Sequence, residues 1–136
     1  MRQTPDTARP VAGPNPWSAE DRAVLREAHS LVLTAGDGGA PGVEIGMVMV
    51  DGALYVRAYR GVRSRWYQAA REHGHGSIRL GPVARDVVLT TGDVEPPGGL
   101  EAAFGAKYGP AAAALVAGPA ARAATIRIDP APGPAR

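Results

Sequence analysis

The chain contains no cysteine, which removes disulfides, thiolate metal sites, iron–sulfur clusters and cysteine nucleophiles, and makes the cytoplasm the default compartment. Aromatic residues are scarce, with one Phe, two Trp and four Tyr, so any place where they gather is informative. Lys107 is the sole lysine, and every other basic residue is arginine. Charge of one sign is also missing: 15 Lys plus Arg against 13 Asp plus Glu leave a formal charge of only +2. That surplus is too small for a nucleic-acid-binding surface. No apolar run reaches membrane-spanning length. The opening Met1–Trp17, broken by Pro5, Pro10, Pro14 and Pro16, reads as a flexible Pro-rich arm and as neither signal peptide nor anchor. Phosphate-cradling glycine motifs of the dinucleotide-binding and Walker types are absent, and Ser18, Ser64 and Ser77 lack a nucleophile elbow. Classical nucleotide folds and serine hydrolysis are thereby disfavoured.

What remains is 136 residues, 45% of them hydrophobic, enough for a single core over residues 18–129. Ser18-Ala19-Glu20-Asp21 resembles a capping box, and Val24, Leu25, Ala28 and Leu31 continue from it with helical spacing. Leu31–Thr34 is apolar and β-branched, a strand that ends in the Gly36–Gly42 loop. Val43–Val50, Asp51-Gly52 and Ala53–Tyr59 form a hairpin pattern, because Asp-Gly suits a type I′ turn. In its second strand Leu54, Val56 and Ala58 alternate with Tyr55, Arg57 and Tyr59, giving one aliphatic face and one aromatic and cationic face. A helix follows from a Ser64 cap to about His73, with Trp66, Ala69, Ala70 and His73 as its inner stripe. Ser77–Leu80 and Arg85–Thr90 form a second hairpin through Gly81-Pro82, Gly98–Val116 reads as an interrupted Ala-rich helix, and Thr125–Ile128 is a late strand. The tail 130–136 is expected to be disordered. The sum is a mainly β, α+β domain of five or six short antiparallel strands on one barrel-like core, with flanking helices.

Between Gly52 and Arg71 there is no Asp or Glu, yet Arg57, Arg60, Arg63, Arg65 and Arg71 all fall there. The same window holds a strand end, a tight turn and a helix start, so guanidinium groups and helix N–H groups can converge on a phosphate. Arg57, Arg60 and the Ser64 helix start are the candidates for that role, against the alternative of a solvated arginine face. Tyr55, Tyr59, Trp66 and Tyr67 crowd into this window too. Tyr59 shares a face with Arg57 and is the candidate ligand contact, whereas Trp66 on an inner helix position reads first as packing. Glu44 is either a buried acid–base group or a strand-end carboxylate in water. His73 and His75 lack a third ligand, and no metal site is expected.

The run Val50-Asp-Gly-Ala-Leu-Tyr-Val-Arg-Ala-Tyr-Arg-Gly-Val-Arg-Ser-Arg-Trp-Tyr-Gln-Ala-Ala, with Gly76-Ser-Ile-Arg-Leu and Asp86-Val-Val-Leu after it, resembles the DUF2255 family of small bacterial proteins. It is also distantly similar to the deazaflavin (F420)-dependent nitroreductases. The resemblance implies a split β-barrel of the flavin-reductase and pyridoxamine-phosphate-oxidase type, a homodimer with cofactor clefts at the interface. It implies FMN or F420 as cofactor, held by Arg57, Tyr59, Arg60, Gly61, Ser64, Arg65 and Trp66, with hydride passed to a small organic substrate. Gly36–Gly42 carries no basic residue, unlike the corresponding nitroreductase segment. The alternatives are therefore a cofactor-free enzyme of secondary metabolism that uses Tyr59, Glu44 and His73 for isomerase- or cyclase-type acid–base catalysis, or a non-catalytic small-ligand-binding module.

Overall fold

A computed structural model describes residues 17–37, 42–92, 94, 96 and 99–132. Helix α1 (Ala19–Glu27) starts where the capping residues place it, with the Ser18 hydroxyl accepting the Asp21 N–H at 3.0 Å. The second half of the capping box is replaced. The Asp21 carboxylate turns to Arg85, accepting from Nε and Nη2 at 2.9 and 3.1 Å, and so ties the helix start to a distant strand.

Seven strands follow in one sheet: β1 (Leu31–Ala35), β2 (Val43–Ile45), β3 (Val48–Val50), β4 (Ala53–Arg57), β5 (His75–Leu80), β6 (Val83–Thr90) and β7 (Thr125–Pro130). Their spatial order is β2-β1-β5-β6-β7-β4-β3, every pairing antiparallel. The two edge strands β2 and β3 are joined by only Gly46 and Met47. A flat sheet of this size would hold its edges roughly 29 Å apart at ~4.8 Å per strand. Three peptide links span at most about 11 Å. The sheet must therefore curl into a half-barrel, and the fold is α+β with helices outside it.

The sequence pattern of one continuous strand over Val43–Val50 is corrected here. It breaks at Gly46-Met47, and its first half pairs with β1 while its second half pairs with β4. The cause lies elsewhere in the chain: the Tyr108 hydroxyl accepts the Met47 N–H at 2.9 Å, taking that amide out of any ladder. A Cβ on Gly46 would stand 3.1 Å from that hydroxyl, so this close approach favours glycine. The β3–β4 turn is as expected, with Asp51 and Gly52 at φ 53° and 81°.

Helix α2 (Arg65–His73) links β4 to β5, and α3 (Glu101–Tyr108), α4 (Pro110–Ala117) and α5 (Pro119–Ala123) precede β7. Pro110 and Pro119 each sit in a first helical turn, where the missing N–H costs nothing. The main core lies inside the curl, from Leu31, Leu33, Leu54, Val56, Ile78 and Ile126. A second core of Val48, Ala53, Tyr55, Leu100, Phe104 and Val116 lies between the outer face of β3–β4 and the helices α3 and α4. Strand β4 is consequently buried on both faces.

Trp17 is no part of an arm. It is 2% exposed, packs in the main core and donates its indole N–H to the Ile128 carbonyl at 3.1 Å. Residues 1–16 lie outside the described residues. At the other end Pro130 still pairs with Val87 and the Ala131 N–H reaches the Asp86 carbonyl at 2.9 Å, so the ordered ladder runs past the expected boundary. Positions 133–136 lie outside the described residues. None of the described helices is long and apolar enough to cross a membrane.

Candidate functional site

The curl leaves a gap between β2 at one sheet edge and the far end of β4, and α3 and α4 roof it. The result is a cleft of about 950 Å³. Strand β4 runs out at Arg57, and Ala58, Tyr59 and Arg60 lead the chain through a turn in which the Gly61 N–H closes on the Ala58 carbonyl at 2.8 Å. Tyr59, Arg60, Arg63, Ser64, Arg65 and Trp66 thereby line one wall. Across from them stand Val43, Glu44 and Ile45 of β2, and Phe104, Leu115 and Val116 of the roof.

Each residue singled out from sequence has a definite place. Tyr59 is 55% exposed at the mouth, with the Arg60 guanidinium 5.9 Å from its ring centroid. Ser64 precedes α2, but its side chain makes no capping hydrogen bond, so the cap expected there is not formed. Trp66 is half-buried, packed on the main core and lining the cleft at once. The inner stripe of α2 is shifted by one residue from the expected one: Tyr67 and Ala70 are buried, while His73 is exposed. Glu44 is exposed on its edge strand and accepts the Ser30 hydroxyl at 2.6 Å.

Two candidates fall outside the lining. Gly61 has φ 89° and a Cβ there would meet the Ala120 side chain at 3.1 Å, so its role is to let α5 approach the turn. His73 lies at the end of α2, its ring edge-on to His75 at 6.1 Å and clear of the cleft. His75 in turn shares a hydrogen bond with Asp37 at 3.0 Å. Among the described residues no group of three His, Cys, Asp or Glu side chains is gathered to hold a metal ion.

Arg57 lines the cleft from the end of β4 and is committed to partners within the protein. Its side chain is wholly buried, and its guanidinium donates to the Thr125 hydroxyl at 2.8 Å, to Glu101 at 2.6 Å and to the Val116 carbonyl at 2.8 Å. Those groups come from β7, α3 and α4, so Arg57, which also lines the cleft, fastens the roof to the barrel. The hydrogen bond from Arg57 holds the Glu101 carboxyl below its ordinary pKa, against the opposing effect of burial.

The family described as an uncharacterized protein conserved in bacteria, DUF2255, matches residues 31–128. That span is well over half of the chain and runs from β1 into β7. The chain belongs to the DUF2255 family. No curated protein and no solved structure matches it. Within this DUF2255 protein the matched span holds the whole cleft lining except His29 and Ser30.

The roof is the part of this DUF2255 site that sequence reasoning missed. Phe104 and Tyr108 stack with centroids 6.1 Å apart, and the Tyr108 hydroxyl donates to the His29 carbonyl at 2.7 Å while accepting the Met47 N–H. Burial raises the Tyr108 phenol pKa, with the Met47 hydrogen bond opposing. Lys107 reaches the Leu25 and Met47 carbonyls at 3.3 and 2.9 Å, placing a cation at the carbonyl end of α1. Burial lowers its pKa. A signal was present: the sole Phe and a Tyr four residues on, beside the sole Lys, in an otherwise Ala-rich helix.

Proposed function

We propose that the cleft binds a flat, phosphate-bearing cofactor, FMN or F420, and that the protein is a split-barrel oxidoreductase of the flavin-reductase type that passes hydride to a small organic acceptor. The observation that carries this reading is the placing of Arg60, Arg63 and Arg65. All three line the cleft around the N-terminal end of α2, where the helix dipole is positive and no acidic residue occupies the first turn. Among the described residues none of the three is ion-paired with a carboxylate. Gathering cations at a positive helix end is unfavourable until an anion arrives, and a phosphate meets both the guanidinium forks and the dipole.

The remainder of the wall suits a ring. Trp66 and Tyr59 offer aromatic surface beside the arginines, and the cleft volume of about 950 Å³ lies within the range of small-molecule sites. A bound reduced flavin or deazaflavin supplies the hydride, and the acceptor gains that hydride and a proton as the cofactor is oxidised. The protein holds the phosphate with Arg60, Arg63 and Arg65, supports the ring with Trp66 and Tyr59, and narrows water access with the roof. A second copy covering the cleft mouth, where Tyr59 is exposed, completes the proposed homodimer.

Titration of the purified protein with FMN and with F420, followed by absorbance and tryptophan fluorescence, tests the reading. Saturable binding of either at micromolar concentration is the expected result. Absence of binding by both would refute it. One observation favours a second reading in that event: Glu44 is the cleft's carboxylate, hydrogen-bonded by Ser30, and fits cofactor-free acid–base catalysis on an anionic substrate held by the same arginines.

A further inference from the structure

We infer that the acceptor served by this cleft is an uncharged, apolar molecule seated against the roof formed by α3 and α4, with Leu115 as the residue that sets its size. The inference rests on the cofactor reading for the identity of the opposite occupant. It stands on a different set of residues. The cleft lining divides by chemistry: apart from Arg57, whose guanidinium is held by Glu101, Thr125 and Val116, its guanidinium groups belong to the segment from Arg60 to Arg65, while the roof contributes Phe104, Ala112, Leu115 and Val116.

Helix α4, Pro-Ala-Ala-Ala-Ala-Leu-Val-Ala, carries no charged or polar side chain at all, which is unusual for a helix with a solvent-facing side. Leu115 is 59% exposed on it, and the alanines leave space where larger side chains would fill the cleft. The polar groups nearest this wall are already engaged. The Tyr108 hydroxyl donates to the His29 carbonyl and accepts the Met47 N–H. The Arg57 guanidinium is held by Glu101, Thr125 and Val116. A charged acceptor placed here would lose its hydration without meeting a counter-charge, whereas an apolar one would cover Leu115 and leave the arginines to the cofactor.

The wall is also rigid. Phe104 and Val116 are 5% and 6% exposed within the second core, and Arg57 fixes the α4 end through the Val116 carbonyl. A preformed apolar surface of this kind selects by shape and excludes by charge.

The test uses the full chain and a neutral apolar probe, N-phenyl-1-naphthylamine, titrated by fluorescence alongside FMN and F420, with sedimentation velocity on each sample. Leu115→Glu alters an exposed position and is expected to keep the thermal midpoint and cofactor affinity while weakening the probe about tenfold or more. Leu115→Trp is expected to exclude the probe by bulk with the same cofactor affinity. Arg63→Ala is expected to do the reverse, weakening the cofactor and sparing the probe. The inference is overturned if the wild type does not bind the probe, if Leu115→Glu binds it as the wild type does, or if Leu115→Glu turns a dimer into a monomer that still binds the probe, which would assign α4 to a subunit contact. Binding of the probe without binding of FMN or F420 would instead remove the cofactor reading and support the apolar wall.

Discussion

Replacing Arg57 separates its two possible roles more sharply than any other change. A phosphate-binding arginine at a cleft mouth contributes little to folding, so Arg57→Ala would cost less than about 1 kcal/mol of stability and would mainly weaken ligand. The structure requires the opposite. The guanidinium is fully buried and meets Glu101 at 2.6 Å, the Val116 carbonyl at 2.8 Å and the Thr125 hydroxyl at 2.8 Å. Truncation leaves the part-buried Glu101 carboxylate with Arg122 at 3.8 Å as its remaining cation, takes a donor from the Val116 carbonyl and from the Thr125 hydroxyl, and removes a fully buried side chain from between the barrel and its roof. Removing one partner of a buried ion pair costs about 3–5 kcal/mol. For a domain of this size that corresponds to a fall in melting temperature of roughly 10–25 °C. Urea unfolding followed by circular dichroism measures it, together with the double cycle Arg57→Met and Glu101→Gln, whose coupling should exceed about 1 kcal/mol. A stability change below about 1 kcal/mol in Arg57→Ala, accompanied by lost anion binding, would refute the assignment.

Tyr108→Phe should destabilise by about 1–3 kcal/mol, because the Met47 N–H loses its acceptor at the seam between β2 and β3; an unchanged urea midpoint would show that the seam closes without it. The Arg57 hydrogen bond depresses the folded-state pKa of Glu101 below its ordinary 4.5. Its contribution to stability is therefore present above that ordinary value and is lost as pH falls through the folded-state value, and Glu101→Gln should flatten this acid limb in thermal melts between neutral pH and pH ~3. Arg60→Ala and Arg63→Ala should each weaken FMN or F420 binding about tenfold, with stability changed by less than about 0.5 kcal/mol; equal affinity in both variants would remove the phosphate site.

The contrast between Arg57 and its neighbours shows which parts of this fold were legible in sequence. Local signals carried well: the Asp51-Gly52 turn, the Ser18 cap and the alternation of Leu54, Val56 and Ala58 each depend on a few adjacent residues. The arginine-rich, acid-free window also led to the cleft, since Arg60, Arg63, Ser64, Arg65 and Trp66 line it. What adjacency cannot convey is which element covers a given face. The alternation in β4 separated Tyr55 and Arg57 from the aliphatic face, and a cationic face is ordinarily solvated. Here α3 and α4, more than forty residues further on, lie over that face and supply Glu101 and Val116 as partners. The same helices place Tyr108 at Met47 and so split what the apolar pattern presented as one strand. The Ala-rich segment that does this has weak amphipathic patterning, so its position against the barrel follows from a few side chains: Leu100, Phe104 and Val116 in the second core, Glu101 at Arg57, and Lys107 and Tyr108 at Met47. Those contacts decide where the roof sits, and the roof decides that one arginine of the cluster is tied to internal partners while three others line the cleft without a carboxylate partner among the described residues.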